Sequence, residues 1–206
     1  MASPSPTGIQ FAFEPQKAIA SIHFLALQNM QDLTKGKIAK LLFLGDKLHL
    51  VRYGRTITGD WYAALEHGPI PSRTDNLLDA FEAGQTALPD VEALSSLVEL
   101  NRGFTYPHIV PKADAAVDPE QFLSRTDVDC LRQVVKHFGD RTFSELRTIT
   151  HDMPAYQKAW EARTANRGVM AFEDFFEEDE DAIVGIKEEA IENSRIRALL
   201  REPAWE

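Results

Sequence analysis

The stretch KLLFLGDKLHLVRYGRTITGDWYAALEHGPIPS, Lys40 to Ser72, changes hydrophobic period partway along. Up to Tyr53, and starting slightly upstream, Ile38, Leu41, Leu42, Gly45 and Leu48 recur at intervals of three and four, the spacing of one helical face. Gly54 follows at once, suited to the left-handed position that closes a helix. Beyond it, β-branched and aromatic residues flank Gly59-Asp60, which predicts a short β-hairpin with its tight turn at that glycine. His67-Gly68-Pro69-Ile70-Pro71 predicts a shaped loop, because each proline removes a backbone donor and fixes φ at about −65°. The fold class expected is mainly α with a small antiparallel β-hairpin or sheet, an α+β arrangement in a single compact helical domain.

Working outward, Ala18, Ile19, Ile22, Ala26 and Met30 form an apolar stripe, so Glu14–Leu33 is expected as a helix packed on Lys37–Tyr53. Downstream, Arg73–Ala83 reads as a helix ended by Gly84. Val91–Val110 is open between a helix and two strands joined through Asn101-Arg102-Gly103. Ser124 to Asp127 precedes an amphipathic helix ended by Gly139, and Thr142-Phe143-Ser144-Glu145 has capping-box spacing. Asp152–Glu161 is expected as a further helix, with Asp152 as its N-cap and Pro154 in its first turn. Ile183–Leu200 regains helical character. The organisation expected is a flexible leader at 1–12, a domain at 13–170 and an acidic, partly ordered helical segment at 171–206.

Apolar residues are 44% and charged residues 26%, the balance of a chain that folds rather than one that stays disordered. A bilayer span needs about 20 apolar residues. The most apolar run, IAKLLFLGDKLHLV, is interrupted by Lys40, Asp46 and Lys47. The start of the chain lacks a basic, apolar secretory signal, and Cys130 is the single cysteine, both of which favour the cytoplasm. The formal charge of −10 is uneven, since residues 171–206 hold twelve acidic and four basic residues and so contribute −8. Phosphate backbones are repelled by such a surface, so no direct nucleic-acid binding is expected, and a basic protein is the natural complement.

The sequence carries no phosphate-binding P-loop, dinucleotide glycine fingerprint, HExxH or GxSxG. Cys130 lies in an apolar helical face and reads as a buried structural thiol. His151-Asp152, with His49 and His67 available, could bind a divalent metal and activate water, which makes a metal-dependent hydrolase the alternative of another class. Against it, Asp152 explains itself as a cap. Glu66 and His67 are adjacent and would point to opposite faces of a strand, so they would not act on one atom. Glu173–Asp181 lacks the alternating ligands and central glycine of a calcium loop. No catalytic residue, cofactor or metal site is therefore expected.

The segment Lys40–Ser72 resembles the signature of the Panacea domain, the SocA-like antitoxin family, through Asp46, His49, Tyr53, Gly54, Ile57 to Asp60, Trp61 to Leu65 and His67 to Pro69. Phe122–Trp160 is similar, more loosely, to that family's second block. The resemblance implies a non-enzymatic antitoxin of a bacterial or phage toxin–antitoxin pair, neutralising a cognate protein toxin by direct binding. The alternative it implies, a close variant, is an adaptor that delivers the toxin to a ClpXP-type protease. Candidate partner-binding residues are Arg55 and Trp61 near the hairpin, His67 and Pro69 in the loop, and Glu177, Glu178 and Asp179 in the acidic segment.

Overall fold

The computed structural model describes residues 8–115, 117–176, 186–188 and 190–192. Its helices are α1 (Pro15–Ala26), α2 (Lys35–Tyr53), α3 (Ser72–Glu82), α4 (Pro89–Ser95), α5 (Arg125–Phe138), α6 (Phe143–His151) and α7 (Pro154–Glu161). The strands are β1 (Tyr62–Leu65), β2 (Gly68–Pro71), β3 (Val98–Asn101), β4 (His108–Pro111) and β5 (Gly168–Val169). Single 3-10 turns lie at Pro119–Gln121 and Phe172–Phe175. The mainly helical α+β class is the one the sequence implies.

The axis of the fold is α2. Thr34 caps it by accepting the Lys37 N–H, and Gly54 closes it at φ 66°. Every residue from Lys37 to Asp46 is buried, with His49 and Leu50 beyond, so the helix is covered around its circumference rather than along one stripe. Against it pack α1, α3, α5, α6 and β2. Capping boxes start α5 (Ser124 with Asp127) and α6 (Thr142 with Glu145), as the local spacing implies.

One antiparallel sheet has the order β2-β1-β5, with Ala64 opposite Pro69 and Ala63 opposite both Ile70 and Val169. The second pairs β3 with β4, and the Ile109 N–H donates to the Leu33 carbonyl at 2.8 Å, tying this hairpin to the chain just before α2. Val91–Val110 therefore holds both of the expected alternatives in succession, α4 and then a hairpin.

Four sequence expectations are corrected. The hairpin turn lies at Glu66-His67, not at Gly59-Asp60. Gly59 does take a positive φ of 67°, and a Cβ there would in addition lie 1.9 Å from the Ala12 carbonyl oxygen. His67–Pro71 is largely strand β2 rather than loop, because an edge strand turns every second N–H outward and alternate prolines cost no ladder bond. The first helix ends at Ala26 rather than Leu33, with Asn29 left-handed at φ 54°; Met30 still packs on the core, so the apolar spacing outlives the helix. Asp152 closes α6, and α7 starts from Met153 with no side-chain cap and Pro154 in its first turn.

Residues on either side of the expected domain limits also pack inward. Ile9 is buried and its N–H donates to the Glu173 carboxylate, while the Phe11 ring meets Phe172 edge-on at 5.2 Å. Phe172 and Phe175 are buried, the latter against Phe43 and Tyr62. Ala190 is buried beside Gly54. Of the expected Ile183–Leu200 helix, residues 186–188 and 190–192 are helical and the remainder lies outside the described residues.

Two glycines of similar φ separate backbone strain from crowding. A Cβ added to Gly84, at φ 71°, would meet nothing within 4 Å, whereas one added to Gly59 would meet the Ala12 backbone. Gly84→Ala is expected to cost about 1 kcal/mol, the left-handed penalty alone. Gly59→Ala is expected to cost at least about 3 kcal/mol, because the N-terminal segment must also move. Denaturant unfolding of both variants measures the difference, and equal losses would mean that the Ala12 contact contributes nothing.

Candidate functional site

The motif residues come first, because their burial limits what they can do. Asp46 is fully buried on α2 and accepts four hydrogen bonds: Ile57 N–H at 2.7 Å, Thr58 N–H at 3.1 Å, Thr58 Oγ1 at 2.6 Å and Tyr62 OH at 2.8 Å. Burial pushes its carboxyl above the usual range, and those four bonds oppose the rise. Asp60, also buried, accepts the Arg73 and Thr74 N–H groups and Thr74 Oγ1, the last at 2.8 Å. It thus caps α3 from a distant segment, where the helix's own N-cap, Pro71, offers no acceptor.

A third buried cluster joins α2 to α5. His49 Nδ1–H donates to the Arg55 carbonyl at 2.7 Å, and its Nε2 lies 3.0 Å from Asp127 Oδ1. Arg55 Nη2 reaches Asp127 at 2.8 Å and Ser124 Oγ at 3.0 Å, and Lys17 Nζ reaches Asp127 at 3.1 Å. Burial alone would raise the Asp127 carboxyl, but the His49 and Ser124 bonds with the Arg55 and Lys17 charges hold it well below the carboxylate range. Lys40 Nζ donates to the Pro69 carbonyl at 2.9 Å, and burial lowers its ammonium to about 7.

Of the candidate partner-binding residues, Arg55 is half-buried with its guanidinium turned to Asp127, and Pro69 is buried with its carbonyl on Lys40. Trp61 and His67 lie at opposite ends of β1, Trp61 half-buried before the strand and His67 exposed in the turn after it. The structure does not bring these four together. Glu177, Glu178 and Asp179 lie outside the described residues.

What surrounds Trp61 was not legible from spacing. Two grooves, of about 850 and 690 Å³, meet at Trp61 and Arg73. The Arg167 guanidinium stands 5.1 Å from the Trp61 ring and donates to Ser72 Oγ at 3.1 Å; that of Arg73 stands 5.7 Å from the Phe13 ring. Arg167 reaches this place because Gly168 pairs with Ala64 and packs on the Ala159 carbonyl, where a Cβ would lie 1.9 Å away. The sole local signal was an arginine before a glycine.

Of the residues of the hydrolase reading, His49 is committed to the Arg55 carbonyl and Asp127, and Asp152 closes α6. The His151 ring stacks on Tyr156 at 4.4 Å, and burial with the charges of Arg147, Lys40 and His67 lowers its basicity. Among the described residues, no group of three or more His, Cys, Asp or Glu side chains is placed to hold a metal. Cys130 is buried in α5, which pushes its thiol up to about 11. Among the described residues, no helix is long and apolar enough to cross a membrane.

The family model for antitoxin SocA-like proteins, Panacea domain, matches residues 38–160, a span that begins inside α2 and ends inside α7. No curated protein and no solved structure matches the chain.

Two outcomes follow from the buried groups. Asp46→Asn keeps the size but loses acceptor capacity for four donors, and is expected to cost about 3 kcal/mol in denaturant unfolding. Lys40 has a folded pKa near 7, below its ordinary value of 10.5, so the unfolded chain holds the extra proton between those limits. Stability should accordingly be greatest above that window and fall as pH drops toward 7, by up to about 1.4 kcal/mol per pH unit. Unfolding measured from pH 7.5 to 9.5 should show that slope in the native chain and its absence in Lys40→Met.

Proposed function

Since the chain belongs to the SocA-like antitoxin family with its Panacea domain, we propose that it is an antitoxin, acting in the cytoplasm and neutralising a cognate protein toxin by direct binding. The observation that carries this reading is the use to which the family segment puts its polar residues. Asp46, Thr58, Asp60, Thr74, His49 and Asp127 bond to one another and to backbone inside the molecule. What they specify is a shape, and a shape is what a stoichiometric inhibitor needs. Trp61, on the surface between two grooves, is the kind of aromatic anchor that dominates binding energy.

The partner is a toxin of basic surface, complementary to the −8 carried by residues 171–206, with Glu177, Glu178 and Asp179 steering its approach. Deleting that whole segment would not test the point, because Phe172 and Phe175 are buried in the core. Neutralising charges without truncation is the appropriate change.

Co-expression with the product of the adjacent gene, scored by growth rescue and by co-purification, tests the function. Rescue with a stable complex is expected. Rescue that disappears in a host lacking ClpXP would convert the inhibitor into a protease adaptor, and absence of rescue would remove the antitoxin reading. Glu177→Gln, Glu178→Gln and Asp179→Asn together should slow toxin association and flatten its salt dependence, with melting temperatures measured alongside to report whether the fold is intact. An unaltered salt dependence would count against the steering role.

A further inference from the structure

We infer that the cleft formed by Trp61, Arg73 and Arg167 is a carboxylate-reading site, which takes an acidic peptide segment of the partner protein. The inference rests on the antitoxin reading only for the partner's being a protein. It rests for its chemistry on the charges that line the two grooves. Asp75 is paired with Lys35 at 3.1 Å, Asp174 with Lys158 at 2.6 Å, and Glu173 accepts the Ile9 N–H. Asp60, beneath the cleft, is buried and committed to the α3 backbone. Among the described residues, no carboxylate lies within ion-pair distance of either Arg73 or Arg167. Both are exposed, and their guanidiniums face aromatic rings and the Ser72 hydroxyl.

Two guanidiniums with no carboxylate partner among the described residues therefore stand at this cleft, where the lining carboxylates Asp75, Asp174 and Glu173 are bonded to other groups. A planar guanidinium presents five N–H donors in a fork that matches a carboxylate, and Arg167 commits one of its donors to Ser72 Oγ. Tryptophan and arginine are also the residues in which binding energy concentrates. The grooves are of ligand-cleft size, and Phe13, Phe11 and Ile70 on their walls suit the apolar side chains of a peptide. A nucleic acid would bring a charge at every residue past Asp75, Glu173 and Asp174, whereas a peptide brings one or two carboxylates at chosen places.

The site sits on fixed backbone, which favours recognition. Trp61 lies between Asp60 and Tyr62, both held by buried hydrogen bonds, and the Arg73 N–H is itself bonded to Asp60. Little ordering is left to be done on binding.

The experiment is an array of immobilised peptides, each sequence present in Asp/Glu, Asn/Gln and Lys/Arg forms, probed with the full chain and read at two salt concentrations. The bound set should be enriched in the Asp/Glu forms with a neighbouring aromatic or aliphatic residue, and binding should weaken with salt. Arg73→Gln with Arg167→Gln should reduce binding of the selected peptides at least about tenfold. Arg167→Lys, which keeps the charge and loses the planar fork, should give an intermediate loss. Melting temperatures of all variants report whether the fold is intact. No enrichment, equal binding of the Asn/Gln forms, or binding unchanged in the double variant would overturn the inference, as would tighter, arginine-dependent binding of a single-stranded DNA oligonucleotide. Growth rescue is scored apart, so rescue without enrichment would sink the cleft and leave the antitoxin reading standing, and enrichment without rescue would do the reverse.

Discussion

A carboxyl group without access to water must be bonded on every side, and meeting that requirement at Asp46 sets the course of the chain from α2 to α3. Four donors converge on it, all from Ile57, Thr58 and Tyr62, so the chain leaving Gly54 has to double back along α2. Tyr62 opens β1, which positions β2 and β5; its ring lies against Phe43 and Phe175, which draws residues near 175 onto the same core. Two residues before Tyr62, Asp60 collects the N-terminal N–H groups of α3. One buried helix thus dictates the placement of the sheet and the next helix through hydrogen bonds that water cannot replace.

This arrangement separates shape from contact. Asp60 and Tyr62 point inward and are fully bonded, and Trp61 between them is left half-buried at the meeting of two grooves. A residue flanked by two such anchors gives up little conformational freedom when it binds, so a larger share of its contact energy appears as affinity. The same reasoning covers Arg73, whose N–H is fixed by Asp60, and Arg167, next to the packed Gly168. Rigid presentation follows from the buried network without a dedicated device.

What was legible in the sequence was what local physics decides. The boxes at Ser124 and Thr142 and the glycine closing α2 are settled within a few residues, and all three stand as read. Where long-range contacts decide, local rules misled. Gly59 has the positive φ of a turn glycine, yet it lies outside the hairpin turn and the absence of its side chain is also required by the Ala12 backbone, distant in sequence. Pro69 and Pro71 look incompatible with a strand until β2 is known to be an edge. Asp152 resembles a cap for the helix that follows, although Pro154 already starts α7. The cleft was invisible for the same reason: Trp61, Arg73 and Arg167 are separated by up to about a hundred residues and share no spacing rule, being joined through β1–β5 pairing and the α3 cap.

The placement of the motif also separates the residues that hold the fold from those free to meet a partner. Residues that define the family segment spend their polar atoms inside the molecule, where a change leaves a donor or a charge unsatisfied and removes a large share of a domain's margin of stability. Surface positions such as Trp61, His67, Arg73 and Arg167 bear no comparable penalty. A fold organised in this way can keep its interior and exchange its surface, so that partner choice is set by side chains whose replacement leaves the buried hydrogen bonds intact.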